Sequence, residues 1–458
     1  MMGQRPSQQN GLFYDFCLEK HIPQDHFLRQ IDQFLDFESI RSHLKPYYSH
    51  TGRPSVDPEL MIRMLLIGYC YGIRSERRLC EEVNFNLAYR WFCRLGLEDA
   101  VPDHSSFSKN RHGRFRESDL LRFVFDAVVQ QCQAQKLIEG EGFATDASYV
   151  RADASWERYA TSISDLLAQR RDSRAVREYL DALDEDTGLV SEQKRISQTD
   201  PLSRWMLKYG PARFYYCTNY LIDVEHNVIV DVEATPTNRT LEVKSTQKML
   251  DRVEDKLGIT PKRLLADTAY GTGPMLDWLV NQKGIKPHIP VFDKTRRKDG
   301  TFEVGDFQWD DQKSEYRCPG GRVLKSHRGK SRTTRNGVTK ENTVIYRSRP
   351  GDCSACEWKP RCCPNTDHRK IARSIYEDSR NVARRITQST QYKSSQKERR
   401  KVEVLFAHLK RILGLDRLRL RGLTGANDEF LLAATVQNLR QLAKASFKPP
   451  DHRISAPA

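Results

Sequence analysis

GFATDASYV, residues 142–150, is a run of strand-forming residues broken by a single acid, Asp146. Acids are poor strand formers, so a carboxylate inside such a run needs a reason. A second acid, Asp267, ends the run Leu264, Leu265, Ala266. Taken alone, each aspartate reads equally well as a functional group or as a strand-end or turn cap. The segments around them narrow the choice. Residues 213–224 and 228–234 are β-rich and separated by Glu225, His226 and Asn227, which predicts a hairpin. Residues 241–257 read as helix, 263–267 as strand, 274–282 as helix and 285–292 as strand. The order strand, hairpin, helix, strand, helix, strand predicts an α/β core: a mixed sheet with helical crossovers. Residues 156–195 are charged and helical in character, with Leu166, Leu167, Leu180 and Leu183 as scattered apolar positions, and read as an excursion from that sheet.

On the N-terminal side, the chain to about residue 130 reads as helices. Leu60, Met64, Ile67 and Tyr71 recur at helix spacing within residues 57–79, and a second helix is expected over 75–87. On the C-terminal side, residues 294–349 are rich in basic residues and turn formers, with a β-prone piece at 342–346. Helical texture returns at 381–411 and 427–445. The expected segments are therefore a helical part over 1–130, an α/β core over 131–293, a basic insertion over 294–394, and the closing part of the core over 395–458.

The chain has 458 residues, too many for one ordinary core. Its 75 basic and 60 acidic residues give a net charge of +15, which points to a polyanionic partner, nucleic acid first. No run of about 18 apolar residues occurs, so no membrane span or membrane partner is expected. The polar stretch at residues 1–9 lacks the apolar centre of a signal peptide. Eleven cysteines in such a chain argue against a disulfide framework.

A helix over the third acid can be read in detail. At about 100° per residue from Val402, the apolar Leu405, Phe406, Leu409, Ile412 and Leu413 fall within roughly 80° on either side. Arg399, Glu403 and Lys410 fall at about 60°, 100° and 80°. The three charges share one stripe on the shoulder of the apolar face, where side chains can meet a sheet edge. The alternative is an i,i+4 Arg–Glu pair facing solvent.

In this order the motifs resemble those of the DDE transposases of bacterial insertion sequences. The matching pieces are ATDAS (144–148), ADTAYG (266–271), and Arg399, Glu403 and Lys410 at the spacing RxxxExxxxxxK, with Gly422 and Asn438 in the tail. The stretch from Gly52 to Ser105 is similar to the helical domain attached to such enzymes. The resemblance implies a ribonuclease H-like fold and a metal-dependent endonuclease that cuts element ends and joins them to target DNA. Asp146, Asp267 and Glu403 would hold two Mg²⁺ or Mn²⁺ ions, and Arg399 and Lys410 would contact phosphate. It also implies terminal inverted repeats and target DNA as partners, a homodimer on DNA, and a bacterial cytoplasmic, nucleoid-associated location. One position departs: a major branch carries tyrosine three residues before the arginine, where this chain has Gln396, so hairpin and other excision routes both stay open.

Two further patterns remain. Cys318, Cys353, Cys356 and Cys362 have the spacing of a tetrahedral Zn²⁺ site in a ribbon-like β insertion, with Cys363 an alternative fourth ligand. Buried free thiols and a redox CxxC are the competing readings. The basic stretches at 397–401 and 411–421 offer Arg400, Arg411, Arg417 and Arg419 for phosphate contacts or form a solvated face, and Arg53 lies in a GRP segment that reads as a minor-groove hook or, equally, as a helix-start loop. His104 reads as a phosphate contact or a local turn histidine. The rival functions are a zinc-containing DNA-binding regulator without catalysis and an inactive relative of a transposase.

Overall fold

A computed structural model describes residues 16–52, 55–168, 172–208, 210–293, 299–326 and 337–446. The chain divides into two compact units. The first comprises Met1–Glu139, Ala147–Ser245 and Val402–Ala458; the second comprises Gly140–Asp146 and Thr246–Lys401. The boundary runs through one strand after Asp146 and through one helix after Lys401.

In chain order the strands begin with β1 (Phe143–Arg151), β2 (Tyr159–Ala160), β3 (Ile196–Ser197) and β4 (Arg204–Met206). The hairpin β5 (Arg213–Asp223) and β6 (Val228–Pro236) follows, then β7 (Arg263–Leu265) and β8 (Lys286–His288). Last come β9 (Gln308–Asp310), β10 (Glu315–Arg317), β11 (Val323–Ser326), β12 (Thr343–Arg347) and β13 (Lys370–Ser374).

In the first unit, β5 pairs antiparallel with β4 on one side and β6 on the other. Asn227 turns the β5–β6 hairpin at φ 59°, a left-handed conformation that asparagine tolerates better than most residues. The helix Leu423–Ser446 packs on β6 and on the helix Leu120–Ala134. Asn438 is fully buried in it and replaces a missing strand partner. Its Nδ2 donates to the Ile229 carbonyl at 2.8 Å and its Oδ1 accepts from the Ile229 N–H at 2.8 Å. Arg122, on the facing helix, donates to Asp231 Oδ1 at 2.6 Å and to the Val232 carbonyl at 2.8 Å, a buried ion pair under the same strand.

The expected helix over 57–79 is interrupted: Pro58–Cys70 and Glu76–Phe85 are separate helices. Gly72 makes the break at φ 67°, where a Cβ would come within 2.9 Å of the Ile412 carbonyl oxygen. Residues 156–195 are less helical than expected, holding Ile163–Ala168, Arg174–Asp184 and the small β2–β3 ladder.

In the second unit, β1 pairs parallel with β7, and β7 pairs parallel with β8. The strand expected over 285–292 shrinks to Lys286–His288, which pairs with all three residues of β7 and ends before Pro290, a residue without a ladder donor. The helix expected over 274–282 ends in a π-turn at Trp278–Gln282. The insertion is larger than a zinc ribbon: β9 to β13 form a five-stranded antiparallel sheet in the order β13-β12-β11-β10-β9. Trp309, Tyr316 and Tyr346 meet edge to face or tilted on it, with ring centroids 4.8–5.4 Å apart. The basic residues Arg328, Lys330, Arg332 and Arg335 between β11 and β12 lie outside the described residues.

Candidate active site

Both aspartates belong to the second unit and follow the parallel pairing of β1 with β7. Phe143 stands opposite Leu264 and Ala144 opposite Leu265. Asp146 and Asp267 each lie two residues beyond the last of these register pairs. Both acids are partly buried. Asp267 leaves the sheet here and caps the turn Thr268–Tyr270, its Oδ1 accepting from the Ala269 N–H at 2.8 Å. The cap uses one oxygen. No side chain or N–H among the described residues donates to the other. Gly271 follows because the backbone passes so close to the next segment that a Cβ would lie 1.9 Å from the Pro290 carbonyl oxygen.

The helix Thr390–Arg411 brings Arg399 to Asp146. Ser395 is buried, and its hydroxyl sits between His288 Nδ1 at 2.8 Å and Arg263 Nη1 at 2.7 Å. Arg263 also pairs with Glu398 at 2.9 Å. These contacts anchor the helix on β7 and β8, and one turn beyond Ser395 the Arg399 Nη1 reaches Asp146 Oδ2 at 3.2 Å. Burial, and then the Arg263 charge, lowers His288 to about 4, which keeps its ring neutral. Arg263, His288, Ser395 and Glu398 were not singled out by the sequence. Their only trace there is a serine pair, Ser394 and Ser395, in an otherwise charged helix.

Glu403 lies on the same helix one turn after Arg399, exposed, and belongs to the first unit. The apolar face expected around it holds: Val402, Leu405, Phe406, Leu409 and Leu413 are buried, and Phe406 stacks on Tyr220 at 4.7 Å. Ile412, at the edge of the wheel, is exposed instead. Gln437 fixes this end of the helix, donating to the Leu405 carbonyl at 2.8 Å and accepting from the Tyr220 hydroxyl at 2.9 Å. Lys410 is half-buried in the first unit, and desolvation together with the nearby Lys208 lowers its amine below the ordinary lysine value.

Among the other basic residues, Arg400, Arg411 and Arg419 are exposed. Arg417 is engaged by Asp153 at 2.8 Å, as is Arg421 at 3.0 Å. Arg53 lies outside the described residues.

The cysteines converge but do not form the preformed tetrahedron expected of them. Cys318, Cys353, Cys356, Cys362 and Cys363 line one small cavity in the second unit. The sulfurs of Cys356 and Cys318 lie 3.4 and 3.8 Å from where a Cβ on Gly320 would stand, so glycine leaves them room. Cys353 instead contacts the Ser348 hydroxyl at 3.1 Å. Burial raises the Cys362 thiol to about 12 and raises Cys363 as well, favouring protonated sulfur. No three histidine, cysteine, aspartate or glutamate side chains stand in metal-holding geometry among the described residues.

Two family profiles match the chain. The profile described as Transposase domain (DUF772) matches residues 16–113, and the profile described as Transposase DDE domain matches residues 317–443. The second match takes in the cysteines, Glu403, Lys410 and Asn438. The class is therefore transposase. The chain belongs to the DDE transposases of the insertion-sequence type. A cryo-EM structure of a piggyBac transposase synaptic complex with hairpin DNA is similar at 10% identity and a TM-score of 0.33, covering 94% of this chain and 82% of that one. A likeness that loose carries no argument here. No described helix is long and apolar enough to cross a membrane.

Proposed function

We propose that this transposase cuts DNA at the ends of an insertion sequence and joins the freed strand to target DNA, with Asp146, Asp267 and Glu403 as its catalytic carboxylates on a ribonuclease H-like core. The observation that supports the reading is the parallel β1–β7 pairing, whose last register pair lies two residues before both Asp146 and Asp267, with the Arg399 cation held against Asp146.

The donor set suits a hard divalent ion. It consists of carboxylate oxygens, one of Asp267's is uncommitted, and Asp146 already attracts a cation. Mg²⁺ or Mn²⁺ held by these acids would supply stabilisation of the phosphorane charge and of the leaving oxygen. Arg399 and Lys410 add positive charge for the scissile phosphate. Exposed Arg400, Arg411 and Arg419 extend that charge along the DNA backbone, each phosphate contact adding about 0.9 to the salt slope of binding. Two ends cut together call for two copies of the chain on DNA. The cysteine cavity is read as a structural Zn²⁺ site held by Cys318, Cys353, Cys356 and Cys362 or Cys363. Its support is the convergence of all five sulfurs on one cavity.

The test is incubation of the full chain with labelled element-end duplex and Mg²⁺. Asp146→Asn is expected to abolish nicked and joined products while retaining duplex binding. Cleavage by Asp146→Asn at the wild-type rate would overturn the assignment.

A further inference from the structure

The first unit contains a cleft of about 440 Å³, remote in sequence from Asp146 and Asp267. That size is within the roughly 300–1,000 Å³ range of ligand clefts. Its walls come from the helices Pro58–Cys70, Glu76–Phe85 and Ser105–His112 and from the segment after the closing helix. Arg74, Arg77, Arg111, Arg419 and His104 line it.

Two acids also line the cleft, and they compensate two of the arginines. Glu76 pairs with Arg111 at 2.5 Å. Glu429 is buried and pairs with Arg74, while also accepting from the N–H groups of Arg419 and Leu420 at 2.6 Å each. The guanidiniums of Arg77 and Arg419 have no ion-pair partner among the described residues. The cleft thus carries a surplus of two positive charges. The Arg111 side chain is about nine-tenths buried, yet its Nε lacks an acceptor, and so does the Nε of Arg74 beside it. Neither Nε touches solvent, so Arg74 and Arg111 act on the cleft through their charge. The apolar floor, from Leu65, Leu79 and Leu420, raises the effective strength of those charges.

We infer that this cleft grips a phosphodiester of the DNA backbone and so anchors the element's end. The inference rests on the proposed DNA reading and gives the N-terminal helices a specific task within it. Arg77 and Arg419 supply the uncompensated charge, and the ion-paired Arg74 and Arg111 line the cleft beside them. His104, whose Nδ1 lies 3.3 Å from Asp103, sits at the rim as a further donor.

Fluorescence anisotropy of the full chain on an element-end duplex, titrated with salt, tests this. Arg77→Ala removes an exposed side chain and leaves the fold intact, so it carries the test if Arg111→Gln fails to fold. Each variant is expected to weaken binding about tenfold at low salt and to reduce the slope of log Kd against log salt by about 0.9. Wild-type slopes in both folded variants, with wild-type protein still cleaving, would overturn the cleft and leave the catalytic proposal standing. Wild-type protein that shows no salt-dependent duplex binding would overturn both. Inorganic phosphate forms the second arm: thermal protection by phosphate that Arg77→Ala abolishes, without any change in the DNA slope, would assign the cleft to a free anion and overturn the backbone grip.

Discussion

His288 should make the attachment of the closing helix pH-dependent. Its ring is almost fully buried and bonded to Ser395, one helical turn before the arginine that holds Asp146. Burial lowers it to about 4, against about 6.5 for histidine in an unfolded chain. Above about pH 6.5 the ring is neutral in both states and contributes no slope. Between about 6.5 and 4 the unfolded chain binds a proton that the folded chain refuses, so stability falls as pH falls. Below about 4 both states are protonated and the slope from this residue ends. At about 1.4 kcal/mol per pH unit, the whole window is worth roughly 3 kcal/mol, a sizeable share of a domain stability of about 5–15 kcal/mol. NMR titration of the imidazole protons, with the His288 signal assigned by its loss in His288→Gln, should give a midpoint near 4. Urea midpoints should then fall more steeply with acid in wild type than in His288→Gln between about pH 6.5 and 4. A midpoint near 6.5, or parallel stability curves for the two proteins, would refute the reasoning.

Other perturbations have equally definite outcomes. Asn438→Ala strands the Ile229 N–H and C=O inside the core, at about 1–3 kcal/mol each, and should lower the urea midpoint of the first unit by an amount a surface asparagine substitution does not approach. Arg122→Ala leaves Asp231 buried without its cation and should cost about 3–5 kcal/mol, measured by the same denaturation curves. Elemental analysis of native protein should find about one zinc per chain, lost together with the insertion's tertiary signal in Cys318→Ser; zinc-free protein with an intact insertion would leave five free thiols, three of them buried, as the better description.

The sequence made the order of the α/β elements legible because their patterns are strong. The β5–β6 hairpin and the Val402–Leu413 apolar face both rest on unambiguous periodicity. It failed at element ends: the first helix stops at Cys70, just before Gly72 at φ 67°, although the second expected helix forms as Glu76–Phe85, and the last strand of the core stops at His288, before Pro290. Asp146 and Asp267 were findable as acids in strand-like runs, but the pairing of the strands that lead into them is a property of register, which appears only when the strands pair. Arg263, His288, Ser395 and Glu398 were invisible for the same reason. Each is an ordinary residue on its own element, and only packing places them around one hydroxyl. The cysteine spacing was legible as a cluster, whereas its sulfur geometry depends on rotamers that spacing does not encode.

The central claim is that three carboxylates do the chemistry, and one measurement addresses it directly. Element-end duplex cleavage in Mg²⁺ should be compared between wild type and the isosteric variants Asp146→Asn, Asp267→Asn and Glu403→Gln, at protein concentrations that saturate the duplex. The account predicts products from wild type alone, with all three variants still bound to DNA. Full cleavage by any one of the variants, Glu403→Gln above all, would contradict it.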